Sequence, residues 1–216
     1  RSDLLMTGLK KNLLDKGVRI LENHALTGLK EIEGGVAVQT SAGELKGKSL
    51  VLATGALTPK LAKIVGWRAP IEPGKGYSLT MKRPGICPDI PLIFPETRVA
   101  VTPFADGYRL GSTMEFSGYD DSIHPKRLNL LRSGVEDYLK EPYAEPVTNT
   151  WYGWRPMTYD SLPIIGPCPG NNKVILATGH NMLGLSLAPA TGKLVAELLT
   201  GKAPHIETNP YSPERF

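Results

Sequence analysis

Cysteine and histidine are scarce in this sequence of 216 residues. The two cysteines, Cys87 and Cys168, lie far apart and form no Cys-x-x-Cys pair, so the sequence supports neither a disulfide framework nor a zinc site. The four histidines are scattered without the spacing of metal ligands. We therefore assign no metal, and a reducing compartment is the expectation.

Long runs of like charge and long apolar runs are also missing. The 25 Lys and Arg residues alternate with 21 Asp and Glu residues, which leaves a formal charge of +4. No basic patch predicts nucleic-acid binding. No stretch approaches the roughly 18 apolar residues of a membrane helix, and the N-terminus lacks a signal-peptide pattern. Because the chain begins at Arg1 rather than at methionine, we expect a fragment.

The first third of the chain carries α/β signals. Leucines at helical spacing predict an amphipathic helix that ends near Lys16. Strands are predicted over 18–21, 35–40 and 49–53. The last of these is a short, wholly apolar run before Thr54-Gly55, which is typical of a central parallel strand covered on both faces.

The middle third is predicted to be an antiparallel sheet with one helix. Strand signals at 77–81, 91–94, 98–102 and 108–113 are separated by Pro or Gly. Pro125 begins an amphipathic helix that runs to Leu139. A returning strand is predicted over 148–154, where threonines and aromatic residues are frequent.

The last third returns to α/β signals, with a strand over 173–177 and a long helix between Gly184 and Gly201. The predicted fold is therefore α/β plus α+β. Residues 1–70 and 160–216 form a partial nucleotide-binding layer, and residues 71–159 form an antiparallel-sheet substrate domain inserted between its two parts.

Two segments run from an apolar strand into a glycine turn. At Val51–Ala56, Gly55 would let a phosphate, ribose or ring approach the backbone closely. At Ile175–Ser186 a helix follows at once, and its first N–H groups can stabilise an electron-rich atom. The alternatives are a plain strand-to-helix turn at the first segment and, at the second, a turn in which His180 and Asn181 only cap the helix.

Arg155 follows Trp151, Tyr152 and Trp154 at the end of a predicted strand. A permanent charge in such a place is costly unless it meets an anion. A guanidinium matches a carboxylate in a planar fork, so a substrate carboxylate is one interpretation and an internal ion pair to Asp160 is the other. Tyr77 could contribute to the same pocket, although a tyrosine in the sheet core is the commoner arrangement.

Several ordered motifs together carry a family resemblance that covers nearly the whole chain. They are Leu52-Ala53-Thr54-Gly55-Ala56, Lys75-Gly76-Tyr77-Ser78-Leu79-Thr80, Gly111-Ser112-Thr113-Met114-Glu115, Gly153-Trp154-Arg155-Pro156-Met157-Thr158, Pro163-Ile164-Ile165-Gly166 and Thr178-Gly179-His180. In this order they resemble the D-amino-acid oxidase superfamily of flavoproteins, nearest to bacterial D-amino-acid dehydrogenase and glycine oxidase. Leu187-Ala188-Pro189-Ala190-Thr191-Gly192 resembles glycine oxidase in particular.

The resemblance implies a glutathione-reductase-like FAD-binding layer and an enzyme that transfers a hydride from the Cα of an amino acid to FAD. The imine product then hydrolyses to a 2-oxo acid, and no catalytic side-chain base is needed. The residues that the resemblance places at the substrate are Arg155, Tyr77 and Asn181. Those that it places at FAD are Leu26, Ala53, Thr54, Gly55, Gly179, His180, Asn181, Met182, Leu183, Gly184, Leu185 and Ser186.

One part of the family pattern does not match. The Gly-x-Gly-x-x-Gly unit that opens the family's fold is missing, and Gly74–Leu79 neither follows an α/β strand nor opens a helix. We therefore expect this chain alone to bind FAD weakly, and the missing segment to belong to a longer protein or to a second chain.

Two other functions stay open, namely a sarcosine-type secondary-amine oxidase and a non-catalytic subunit that retains the fold. The electron acceptor, oxygen or quinone, is also open. The expected location is cytoplasmic, with peripheral contact to the inner membrane or to an electron acceptor as an alternative.

Overall fold

The structure, a computed structural model, describes residues 2–216 and divides the chain into two compact units, Arg1–Leu50 and Val51–Phe216. The first unit contains α1 (Ser2–Asp15) and a three-stranded sheet of β1 (Leu26–Ile32), β2 (Gly35–Thr40) and β3 (Gly43–Gly47) in sequence order. Both pairs of neighbouring strands are antiparallel. The predicted first helix and the strand at 35–40 are confirmed.

The strand predicted over 18–21 is wrong. These residues form no strand, and Val18, Ile20 and Leu21 are exposed. A short apolar alternation becomes a strand only where a neighbouring strand accepts its backbone hydrogen bonds. The strand that pairs with β2 is instead β1, which begins at Leu26 and was not predicted from the sequence.

A second three-stranded sheet has the order β10-β11-β4 and is formed by β4 (Leu50–Leu52), β10 (Ile164–Cys168) and β11 (Asn171–Thr178), all of which except Leu50 belong to the second unit. Helix α4 (Gly184–Thr200) packs its buried Leu194 and Val195 with Ile165 and Ile175 of this sheet. The strand at 173–177 and the long helix are confirmed. The prediction that the strand at 49–53 is central is wrong for the described chain, because β4 lies at the end of the sheet and Val51 is 37% exposed.

The second unit also contains a five-stranded antiparallel sheet, in the order β6-β7-β8-β5-β9. Its strands are β5 (Glu72–Met81), β6 (Leu92–Phe94), β7 (Val99–Phe104), β8 (Gly107–Glu115) and β9 (Val147–Met157). The predicted antiparallel block is confirmed. Helix α3 (Pro125–Glu136) begins where predicted and ends three residues before Leu139.

Helix α3 covers one face of the five-stranded sheet. Leu131 and Val135 of α3 are fully buried in the core formed with that face. On the central strand β5, Tyr77, Leu79 and Met81 belong to this core. Since alternate residues of a strand point to opposite faces, the side chains of Ser78 and Thr80, together with the positions of Gly74 and Gly76, lie on the other face, which we call the open face.

The remaining elements are short. A 3₁₀ helix (Gly55–Leu61) and α2 (Ala62–Val65) follow β4, and 3₁₀ helices at Asn209–Tyr211 and Pro213–Arg215 end the chain. No helix among residues 2–216 is long and apolar enough to cross a membrane. The division into 1–70 with 160–216 and 71–159 stays a prediction.

Candidate functional site

Three threonines connect the two glycine turns that follow β4 and β11. The hydroxyl groups of Thr54 and Thr58 are 2.9 Å apart, and those of Thr58 and Thr178 are 2.8 Å apart. Thr58 and Thr178 both donate to the carbonyl of Gly55, at 2.8 and 3.1 Å. Gly55 has a φ of 54°, in the left-handed region where glycine carries no Cβ penalty. The structure therefore brings the two turns together at one end of the three-stranded sheet.

The loop after β11 is held against the end of β9. The Asn181 amide nitrogen donates to the carbonyl of Pro156 (3.1 Å), and its side-chain amide donates to Thr158 Oγ1 (3.0 Å) and the Gly179 carbonyl (2.9 Å). Its Oδ1 accepts from the Thr158 amide at 3.0 Å. Because both side-chain N–H groups are used within the chain, the structure gives Asn181 a clamping role and does not support direct donation from its side chain to substrate.

His180 and Asn181 do not cap α4 with their side chains. The residue before the helix is Leu183, which supplies no side-chain cap, so the capping alternative is wrong. The His180 ring lies 2.9 Å from Thr191 Oγ1 (Nε2 to Oγ1), and burial lowers the pKa of His180 below its usual value of 6.5. His180 is therefore neutral at pH 7.

Apolar side chains at the start of α4 are left uncovered. Met182, Leu183 and Leu185 are 65%, 57% and 52% exposed. A Cβ added at Gly184 would meet only His180 Cβ, at 3.4 Å. Together, Met182–Leu185 form what we call the α4 entry surface, an exposed apolar patch beside backbone N–H groups that lack intrahelical partners.

Arg155 lies on the open face of the five-stranded sheet, opposite Gly74. Its guanidinium group covers Gly76, where an added Cβ would come within 2.2 Å of Nη1. Nη1 donates to the carbonyl of Thr113 at 3.2 Å. Burial lowers the pKa of Arg155, but a guanidinium remains charged in proteins.

The internal ion pair considered for Arg155 is wrong. Asp160 pairs with Arg215 instead, with 2.7 Å between Arg215 Nε and Asp160 Oδ2. Within residues 2–216, Arg155 forms no ion pair. A half-buried guanidinium thus has only a carbonyl as its described partner, which leaves it able to bind an external anion.

Trp151 stands beside Arg155 on the same face. Its ring covers Gly153, where an added Cβ would lie 2.3 Å from the indole, and Gly153 pairs directly with Gly76. Trp151 and Arg155 line one cavity of about 420 Å³, which also reaches Ser78 and Arg109. Such a volume is ample for an amino acid.

Tyr77 does not reach this cavity with its ring. It is 2% exposed, belongs to the core on the α3 side, and donates its hydroxyl to Glu115 Oε2 at 2.5 Å. Tyr77 is among the residues that line the Arg155 cavity, but its ring and hydroxyl point to the opposite face of the sheet, so contact between Tyr77 and a substrate stays a prediction. The sheet-core arrangement is the one that the structure has.

Lys75 is a buried charge that sequence reasoning missed. Its side chain is fully buried, its Nζ lies 3.1 Å from Asp120 Oδ2, and it also donates to the Ser122 carbonyl. Burial by itself would lower the pKa of Lys75, but the hydrogen bonds to Asp120 and Tyr77 outweigh it and raise that pKa. Backbone and side-chain hydrogen bonds from Ser122, followed by that from Lys75, hold the pKa of Asp120 well below its usual value.

We expect Asp120→Asn to lower Tm, because it leaves the Lys75 charge without its counter-ion. A carboxyl whose pKa is depressed on folding stabilises the folded state above its unfolded pKa, and this stability is lost as the pH falls through the folded pKa. The difference in Tm between wild type and Asp120→Asn should therefore shrink as the pH falls below about 4. A difference that grows on acidification would contradict this account.

The other residues implied at FAD lie in different surroundings. Ala53 and Thr54 are exposed, and Ser186 is exposed in the first turn of α4. Leu26 is partly buried and begins β1 in the first unit, opposite Thr40. Their contact with FAD stays a prediction.

Comparison with known proteins decides the family. Residues 1–198 match the family described as DAO, FAD dependent oxidoreductase. The chain belongs to the DAO family of FAD-dependent oxidoreductases.

Relatives within the DAO family agree with this assignment. Glycine oxidase of Pseudomonas putida is 36% identical over 220 residues, covering 99% of this chain and 59% of that protein. D-amino acid dehydrogenase of Granulibacter bethesdensis is 35% identical over 173 residues, covering 79% of this chain and 41% of that protein. The chain therefore spans about half the length of these relatives.

A solved structure shares the fold. Glycine oxidase from Geobacillus kaustophilus superposes with a TM-score of 0.85 at 24% identity, covering 93% of this chain and 54% of that one. The mixed α/β fold with its antiparallel sheet is thus that of glycine oxidase structures.

Sequence reasoning overlooked the parts of this DAO-family chain that position Arg155. Gly76 leaves space for the guanidinium on the open face, and the Thr113 carbonyl accepts a hydrogen bond from it. The signal was available, since repeated glycines inside a strand mark a close approach. Nothing in the residue pattern showed which side chain makes that approach.

Proposed function

We propose that the protein carrying this chain is an FAD-dependent enzyme that oxidises an amino acid, either a D-amino acid or a glycine-like one, at Cα to an imine that hydrolyses to a 2-oxo acid. The observation that carries the proposal is the half-buried Arg155 guanidinium, which has no carboxylate partner in the described chain and lines an open cavity. A substrate carboxylate supplies the anion that this group lacks.

The chain also fits part of an FAD molecule. The left-handed turn at Gly55 leaves backbone open for close approach, since an added Cβ there would meet no atom within 4 Å, whereas Gly179 is buried against Thr158 and Ile164. The α4 entry surface offers an apolar platform with room in front of Gly184. The positive end of the α4 dipole lies at the same place and favours an electron-rich ring edge. We therefore assign the Gly55 turn to the nucleotide part and the α4 entry surface, with the loop before it, to the ring.

In this proposal the chain's own residues bind and orient. A bound FAD would supply the hydride acceptor for the Cα hydrogen, so the chain's own residues would not need to include a strong side-chain base. Arg155 holds the carboxylate, and Trp151 borders the space next to it. Asn181 connects the loop before α4 to the end of β9, the strand that carries Arg155. Its hydrogen bonds join the loop to Pro156 and Thr158, which follow Arg155 in the chain. Movement of the loop relative to the arginine is thereby restricted.

The test uses the full-length protein with its flavin. Anaerobic mixing with glycine, D-alanine and sarcosine in turn should bleach the flavin absorbance with at least one of them, and a 2-oxo acid should form. Strong preference for sarcosine would support the secondary-amine oxidase alternative. A flavin that none of a broad set of amino acids and amines reduces would refute the enzyme proposal and support a non-catalytic subunit.

Gly76→Ala tests whether the position of Arg155 matters. The new Cβ would lie 2.2 Å from Arg155 Nη1, so the guanidinium must move away from its position over residue 76. We expect KM for amino acids to rise at least about tenfold, by loss of a charge-assisted contact. Gly47→Ala, on strand β3 and outside this cavity, places its Cβ 3.4 Å from the Ser49 carbonyl oxygen and should change KM less than about twofold. Equal effects of the two variants would show that Gly76 matters only for the sheet.

A further inference from the structure

The strand that contacts Arg155 has a distorted backbone. Along β5 the pairing partner changes from Glu115 at Lys75 to Ser112 at Tyr77, so a step of two residues on β5 faces three on β8. This extra residue is a β-bulge, and it lies opposite Gly76, the glycine that the Arg155 guanidinium covers.

Two consecutive residues of the bulge adopt positive φ without being glycine. Ser112 has a φ of 109° and Thr113 a φ of 45°. Side chains with a Cβ rarely occupy this region, and a β-branched threonine does so least readily. The Thr113 hydroxyl is also buried and without a hydrogen-bond partner in the described part of the chain. Each of these features is unfavourable, and such features persist where the surrounding structure enforces them.

The bulge has one visible consequence for the site. It places the carbonyl of Thr113 3.2 Å from Arg155 Nη1, and this is the guanidinium's hydrogen bond to the chain within residues 2–216. In a regular antiparallel ladder, backbone carbonyls point along the sheet toward neighbouring strands. A carbonyl can meet a side chain above the open face only where the ladder is interrupted.

We propose that the Ser112–Thr113 bulge is a strained positioning element that holds the Arg155 guanidinium over Gly76 and leaves its other N–H groups free for a substrate carboxylate. The inference rests on the proposed function, since it concerns how that carboxylate is bound. Relief of the strain should therefore stabilise the protein and at the same time weaken carboxylate binding.

The experiment compares Ser112→Gly and the double variant Ser112→Gly/Thr113→Gly with wild type in the full-length flavoprotein. Glycine accepts positive φ without a Cβ penalty, so Tm should rise by roughly 1–4 °C. The freed bulge no longer fixes Arg155, so KM for D-alanine or glycine should rise about five- to tenfold while kcat changes less than about twofold. Turnover of methylamine, which has no carboxylate, should not change.

Ser161→Gly is the matched control. Ser161 has a φ of 61° in an exposed turn between β9 and β10, so its replacement relieves the same kind of strain away from the bulge. It should raise Tm and leave KM unchanged. Acetate binding, measured by isothermal titration calorimetry in every variant, reports on the carboxylate site without any turnover.

The outcomes separate the two proposals. A raised Tm with weaker acetate binding in the Ser112 and Thr113 variants supports the positioning role even if no amine is oxidised, in which case only the proposed function fails. A raised Tm with unchanged KM and unchanged acetate affinity overturns the positioning role. A lowered Tm overturns the claim of strain.

Discussion

Replacing Arg155 with alanine or with lysine in the full-length protein should lower kcat/KM for amino acids by at least about tenfold. The guanidinium lines the cavity, has only the Thr113 carbonyl as its partner in the described chain, and is partly desolvated. A bidentate contact from such a group to a carboxylate contributes roughly 1.5–3 kcal/mol. Lysine keeps the charge but cannot reproduce the planar fork.

An amine without a carboxylate provides the comparison for Arg155. Its kcat/KM should change little between wild type and variant, because it never used the contact. Steady-state kinetics with D-alanine and with methylamine measure both. Equal losses for the two substrates, or intact turnover of the amino acid, would make Arg155 a structural residue and remove the carboxylate assignment.

Replacing Gly184 with valine should release most of the flavin from the full-length protein while the fold remains. Its Cβ would meet only His180 Cβ at 3.4 Å, so the chain itself has room for the substitution. The branched side chain would instead occupy the space in front of the α4 entry surface, where we place the ring. The flavin-to-protein absorbance ratio of the purified variant, together with its far-UV circular dichroism, tests this expectation.

Gly192→Val is the control for Gly184→Val because it makes the same change on the same helix. A Cβ at Gly192 meets nothing within 4 Å, and both variants replace glycine with the same residue, whose helix propensity is higher than that of glycine. The control should retain its flavin. If Gly184→Val is folded and keeps a full complement of flavin, the ring does not lie against the start of α4.

The sequence correctly predicted those helices and strands in which the end signals and the spacing of apolar residues indicate the same element. Pro125 at the start of α3 and Gly201 after α4 mark helix ends by their own backbone preferences, and the apolar spacing between these signals is enough to specify a helix. Eight strands were likewise found from apolar runs, alternation and turn residues, namely β2, β4, β5, β6, β7, β8, β9 and β11. β1, β3 and β10 were missed, since β1 and β3 carry exposed polar positions and β10 contains Gly166 and Pro167, which weaken any strand signal.

The sequence by itself determined the family, the antiparallel sheet with its helix, the two glycine turns and the candidacy of Arg155, because each depends on residues that are close together in the chain or on motifs in a fixed order. Only the tertiary structure decided which groups meet. It assigned Asp160 to Arg215, turned Tyr77 to the core face, and joined the glycine turns through Thr58 and Thr178. These outcomes depend on strand register, where a shift of one residue reverses the face of every side chain. The bulge at Ser112 and Thr113 depends on it too, since the pairing of β5 with β8 places those residues beside Arg155.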